Sequence, residues 1–126
     1  MITGCVDTNI LIEIYRGNTI AKGWFEAQSD LAVSSLVWLE FMQGAHGKRG
    51  QKRCSEIIAP LDLVFLTLED QQWAMTQVMH YSLSHGVDFK DCLVASVCHR
   101  LDVPLYTLNV KDFRATLDSK LVVKPY

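Results

Sequence analysis

Five polar positions are spaced so that they could build one site: Asp7, Glu40, Asp91 and the Asn109/Asp112 pair. Asp7 directly follows the apolar run ITGCV, and Asn109 and Asp112 follow the run ending at Thr107. Asp91 stands at the start of a helical pattern, where the helix dipole favours a carboxylate. Glu40 lies between Leu36 and Val37 and ahead of Gly44 on an otherwise apolar helical face. A carboxylate there must be paired, metal-bound or at a cavity edge, because an isolated buried charge is very costly. Several carboxylates stay charged together only if a cation offsets their repulsion. Oxygen-only donors of this kind suit Mg²⁺ or Mn²⁺. Phosphodiester hydrolysis is the natural chemistry for such a site, with an ion that acidifies a water and stabilises a leaving oxygen.

Each residue also has a plainer role. An Asp after a strand is often a helix cap, and so is one at a helix start. Asn109 and Asp112 are ordinary turn residues. Lys48, Arg49, Lys52 and Arg53 form a compact basic run that fits either phosphate contact or a solvated helix face. Lys111 and Arg114 sit next to the acidic positions and are better placed for RNA phosphates. Trp24, Trp38 and Trp73 could stack on bases, although Trp38 and Trp73 lie within strong helical patterns and read as core. His46, His80, His85 and His99 form no HxH or HExxH pair, so no zinc site is expected. Only His85, beside Gly86 and near Asp91, stays a site candidate. Ser34-Ser35 reads as a cap, since no G-x-S-x-G turn surrounds it.

These residues need elements to position them. Residues 2–6 read as a buried strand. Asn9 or Thr8 then caps a helix, Gly17-Asn18 stops it, and 19–28 reads as a second helical piece. Strands are expected at 31–33, 61–66, 104–107 and 121–123, and helices from Ser34 or Ser35 to Gly44 and over 47–59. The clearest helix opens at Thr67-Leu68-Glu69-Asp70 and breaks at 84–86. A further helix spans 91–101, and 110–114 forms one turn. Strands alternating with helices predict an α/β sandwich with a mainly parallel sheet. In such a sheet, functional residues collect beyond the carboxyl ends of the strands.

The chain has 126 residues, 12 Lys+Arg against 14 Asp+Glu, and a net charge of −2. That length suits one domain, residues 1–126. The charge balance excludes a protein that holds nucleic acid by bulk positive charge. It leaves open one that grips phosphate at a metal, since one divalent ion would bring the total to zero. The four cysteines form no CxxC pair, which suggests reduced thiols and a cytoplasmic setting. The N-terminal segment lacks a basic start, and Asp7 and Glu13 break its apolar run, so it does not read as a signal peptide. No run approaches the roughly 20 apolar residues of a membrane span.

Four pieces in register carry a resemblance over nearly the whole chain: V-D-T-N-I-L-I at 6–12, S-S-L-V-W-L-E-F-M-Q-G at 34–44, D-C-L-V-A-S at 91–96 and L-Y-T-L-N-V-K-D-F at 105–113. The sequence resembles the PIN-domain ribonucleases, and more narrowly the VapC-type toxins of bacterial toxin–antitoxin pairs. The resemblance implies a three-layer sandwich and a metal site built from Asp7, Glu40 and Asp91. The family's fourth acidic position falls on Asn109, with Asp112 close behind. Thr8, Asn9 and Thr107 become supporting or water-positioning groups. It further implies an Mg²⁺- or Mn²⁺-dependent endoribonuclease acting on tRNA or another structured RNA. The partners implied are a VapB-like antitoxin and a second copy of the chain. Ile12, Ile14, Tyr15, Trp24 and Phe25 are antitoxin contacts or core. The alternatives are a non-catalytic PIN-like binding module and a receiver-like phosphoacceptor domain. The receiver reading lacks an acidic pair after the first strand.

Overall fold

The computed structural model describes residues 1–126. Its sheet has five strands in the order β3-β2-β1-β4-β5. They are β1 (Gly4–Val6), β2 (Leu31–Ser34), β3 (Asp62–Val64), β4 (Leu105–Tyr106) and β5 (Val122–Val123). Every pairing is parallel, with Cys5 opposite Ala32 on one side and Leu105 on the other. The expected α/β sandwich is therefore present, with a wholly parallel sheet. The central strands β1 and β2 are apolar along their length and fully buried, as strands covered on both faces must be.

Six helices complete the layers: α1 (Thr8–Tyr15), α2 (Thr19–Glu26), α3 (Ser35–Gln43), α4 (Gly47–Ile58), α5 (Leu68–His85) and α6 (Phe89–Leu101). From β1 the chain steps outward through β2 to β3, then crosses back to β4. Right-handed crossovers put α1–α4 on one face and α5 and α6 on the other. The packing agrees: α1 touches α2, α3 and α4, and α5 runs along α6. Between the layers lies a core of 21 buried residues, including Ile10, Leu11, Val37, Val97, Leu105 and Phe113. No helix is long and apolar enough to cross a membrane.

Local chemistry sets the boundaries. The cap of α1 is Asp7 rather than Thr8 or Asn9: its carboxylate accepts from the Thr8 amide. Ser34 caps α3 through the Val37 amide. Thr67 and Asp70 close a reciprocal capping box on α5. That helix runs through His85 and stops at Gly86, which adopts φ 62°. Asp88 caps α6, so this helix starts two residues before Asp91 and places Asp91 inside its first turn. The expected strands at 61–66 and 104–107 are shorter at both ends. Gly4 allows a close approach of β1 to β4, since a Cβ there would lie 2.5 Å from Tyr106 Cε2.

Two layers are also pinned by side chains. The Arg53 guanidinium donates to the Tyr15 carbonyl at 2.6 Å and lies 4.9 Å from the Tyr15 ring centroid. Arg53 therefore ties α4 to α1 and is not a free member of the basic run. On the other face, Arg100 makes two bonds to the buried Asp70 carboxylate, at 2.9 and 3.1 Å.

Candidate active site

The chain leaves β1 for one side of the sheet, while β4 lies on the other side. The carboxyl ends of these two neighbours therefore form a switch point, where an open parallel sheet leaves a crevice. Asp7 stands at the end of β1 and Thr107 at the end of β4. Both are buried, Thr107 completely.

A hydrogen-bond chain fixes the Asp7 carboxylate. Its Oδ1 accepts from the Thr8 amide at 2.8 Å and its Oδ2 from the Thr107 hydroxyl at 2.8 Å. Thr107 Oγ1 in turn accepts from Asn9 Nδ2 at 3.2 Å and from the Asn109 amide at 3.0 Å. The Asn9 side-chain oxygen accepts from the Leu108 amide at 3.2 Å. Asn9 thus staples the start of α1 to the loop after β4. Thr8 reaches the other way, donating through Oγ1 to Glu40 Oε1 at 3.3 Å. Glu40 is half-buried at the margin of a largely apolar groove of about 280 Å³ that Ile12, Tyr15, Phe41 and Ala45 also line. It stands at a cavity edge, one of the three settings its helical face demands.

The carboxylates feel one another strongly. Burial pushes Asp7 above the ordinary carboxylate range, against the hydrogen bonds from Thr107 and Thr8, and the charges of Glu40 and Asp112 push it further. Asp91 is pushed up to about 7, first by burial and then by Asp7, Asp112, Asp88 and Glu40. None of these acids takes part in any of the ion pairs, which join other residues. The electrostatic picture is a pool of negative charge with which no protein cation is directly paired.

No three of the His, Cys, Asp and Glu side chains stand close enough to form a ready-made metal cage. The donor set nevertheless fits a hard cation. It is all oxygen, it is uncompensated, and Mg²⁺ keeps several waters while using only one or two protein carboxylates.

The remaining expected residues fall in distinct places. Asp112 is exposed on the 3₁₀ turn Val110–Phe113, and its charge acts on both Asp7 and Asp91. Asn109 precedes that turn, and its side chain forms no cap bond. Lys111 and Arg114 lie with Asp91 and Asp112 along a polar cavity of about 350 Å³. Lys48, Arg49 and Lys52 are exposed on the first half of α4. Trp24 packs edge-on against Tyr106 at 5.0 Å and Trp73 stacks on His99 at 4.7 Å, so both are spent within the fold. Trp38 packs against the core. Sequence reasoning missed Asp88, whose signal was its place three residues before Asp91, where an Asp that caps the helix also charges its first turn.

Comparison with known proteins places this geometry. The family model described as PIN domain matches residues 4–116. Ribonuclease VapC of Rickettsia bellii (strain RML369-C) is 26% identical over 131 residues, covering 95% of each chain. A toxin–antitoxin complex from Klebsiella pneumoniae contains a chain that is 25% identical, with 98% of both chains covered and a TM-score of 0.82. VapBC2 from Rickettsia felis, bound to a promoter DNA fragment, shares the fold at a TM-score of 0.77 and 16% identity, covering 97% of this chain and 98% of that one. With the family model spanning β1 to β4 and Asp7, Glu40, Asp91 and Asp112 alike, the chain belongs to the PIN domain family.

Proposed function

We propose that this protein is a metal-dependent endoribonuclease, the toxin of a toxin–antitoxin pair, which hydrolyses phosphodiester bonds in tRNA or another structured RNA. One observation carries the reading. Asp7 and Asp91 are both held above the ordinary carboxylate range, first by burial and then by the charges of neighbouring acids that include Glu40 and Asp112, and none of the four is ion-paired. A binding module or an inert scaffold has no electrostatic reason to keep such a pool. The similarity to a protein named Ribonuclease VapC and to a chain of a toxin–antitoxin complex supports the same reading.

Asp7 would anchor Mg²⁺ or Mn²⁺, with Asp91 and Glu40 contributing directly or through the ion's waters and Asp112 close by. Bound there, the ion supplies Lewis acidity, favouring hydroxide from water and offsetting charge on the phosphate. The chain's own groups do the positioning. Thr107 and the Thr8 amide hold both Asp7 oxygens, so the carboxylate cannot swing away. The Thr8 hydroxyl steers Glu40 toward the same end of the sheet. Asn9 locks the loop that carries Asn109 and Asp112. Lys111 and Arg114 place positive charge beside the acids, where an RNA phosphate must pass.

The partners fit the surface. An apolar antitoxin segment suits the groove of Ile12, Tyr15, Phe41 and Ala45, which ends at Glu40. A second copy of the chain suits the exposed, uncharged stripe of Leu68, Met75, Met79 and Leu83 on α5. The whole chain acts as one domain, and its four free cysteines suit a reducing cytoplasm.

The test is cleavage of total tRNA and rRNA in Mg²⁺ or Mn²⁺. The wild type is expected to cut at discrete positions, with cutting abolished by EDTA and by Asp7→Asn. A wild type that cuts nothing, or an Asp7→Asn protein that cuts equally well, overturns the reading.

A further inference from the structure

Beside the acids lies the polar cavity of about 350 Å³, walled on one side by the α5–α6 connection and on the other by the turn after Asn109. His85, Gly86 and Asp88 form the first wall, and Lys111, Arg114 and Ala115 the second. Asp91 and Asp112 line it too, so it opens directly onto the catalytic crevice. The polar share of this wall contrasts with the apolar groove on the other side of Glu40, so the crevice has two chemically different flanks.

Two features suit the cavity to a phosphate, against the carboxylates of Asp88, Asp91 and Asp112 that also line it. Lys111 and Arg114 take part in no ion pair, so their charge is available. The His85 ring is held in place: Ser84 Oγ lies 2.7 Å from its Nδ1, and Tyr81 packs edge-on at 5.4 Å and 82°. The Ser84 contact engages Nδ1 and leaves Nε2 as the ring nitrogen with no protein partner.

We propose that this cavity is a second-phosphate subsite, which receives the phosphodiester adjoining the bond that is cut. Arg114 and Lys111 supply its charge, and His85 Nε2–H supplies a hydrogen bond that sets the position of that phosphate. The inference rests on the ribonuclease reading and adds a polarity to it. A phosphate held at the His85–Arg114 pocket while its neighbour sits at the acids gives the RNA one direction through the crevice. Gly86, in the left-handed region, closes α5 directly after His85.

The probes are adenosine 3′,5′-bisphosphate, whose two phosphates span one nucleoside, and adenosine 5′-monophosphate, each titrated calorimetrically into the full chain in Mg²⁺. The bisphosphate is expected to bind about tenfold tighter than the monophosphate. His85→Ala is expected to cut that preference to about threefold or less, while monophosphate binding and thermal stability stay unchanged. Arg114→Ala is expected to weaken the bisphosphate more than the monophosphate. His85→Gln, which keeps a side-chain N–H donor, is expected to restore part of the preference. If the protein cleaves RNA but binds both probes equally, or if His85→Ala weakens both probes alike, the subsite is wrong and the ribonuclease reading stands. If the wild type neither cleaves RNA nor binds the bisphosphate, the reading beneath the subsite fails with it.

Discussion

Replacing Asp91 by Asn is expected to stabilise the metal-free protein. Asp91 has an ordinary carboxyl value of 3.8 and is pushed up to about 7 in the fold, by burial and then by Asp7, Asp112, Asp88 and Glu40. The folded protein therefore holds a proton that the unfolded chain releases near pH 4. Stability from this group is fully present below pH 3.8 and is lost progressively as pH rises to about 7. The full loss is about 4 kcal/mol, from about three pKa units at roughly 1.4 kcal/mol each. Solvent reaching the half-buried side chain screens part of it, leaving about 2–4 kcal/mol. The Asn side chain keeps the shape and removes the charge. In EDTA at pH 8, the variant is expected to be more stable by that amount, a rise of roughly 3–5 °C in Tm per kcal/mol. At pH 4 the gain shrinks to about half a kcal/mol. Urea unfolding followed by circular dichroism at both pH values measures this directly. Equal or lower stability of Asp91→Asn at pH 8, or a gain that does not change with pH, would refute the claim that burial and neighbouring acids disfavour the Asp91 charge in the fold.

Three further outcomes follow from the same contacts. Thr107→Val keeps the shape but removes the donor to Asp7 Oδ2 and the acceptor for the Asn9 and Asn109 donors. It should cost about 1–3 kcal/mol in thermal unfolding and slow RNA cleavage at least about tenfold. Arg100→Ala strips the partner from Asp70, which burial alone would raise but which Arg100 and Thr67 hold below the ordinary carboxylate range. It should cost about 2–4 kcal/mol at pH 7 and markedly less below pH 4, where wild-type Asp70 itself begins to lose its charge. Arg53→Ala should lower stability by about 1 kcal/mol, because Arg53 joins α4 to Tyr15. The same change at exposed Lys48 or Lys52 should leave Tm within about 1 °C.

Asp7 and Asp91 were legible in the sequence because each sits near an element boundary, which local chemistry marks, and Glu40 because it interrupts an apolar helical face. Asp7 follows an apolar run with no residue between, so its place at the end of β1 needs only the strand. Its second task, capping α1, was misassigned to Thr8 or Asn9 because all three residue types can cap. Only the fold shows that those two turn away, toward Glu40 and Thr107. Asp91 was read as a helix opener, yet the helix opens earlier at Asp88, for the same reason: two capping residues stand one turn apart.

What periodicity could not supply was long-range pairing. The Arg53–Tyr15 and Arg100–Asp70 contacts join residues 38 and 30 positions apart, and the charges alone gave no hint of them. The choice between Asn109 and Asp112 also needed the folded turn. It sets Asp112's charge against Asp7 and Asp91, while the Asn109 amide bonds Thr107. The pocket flanking Asp91 arises between two connections distant in sequence, so His85 and Arg114 face one cavity from opposite walls, which no local pattern reveals.

A divalent cation held by Asp7 together with Asp91 and Glu40, as proposed, is tested by the thermal stability of the wild type and of Asp7→Asn across a titration of Mn²⁺ from EDTA to millimolar concentration. A cation that binds only the folded protein raises stability by about 2.7 kcal/mol at a hundredfold excess over its Kd. The wild type should therefore show a saturable rise in Tm, and Asp7→Asn should show none. A wild type whose Tm ignores Mn²⁺, or an Asp7→Asn protein that rises equally, would contradict the account.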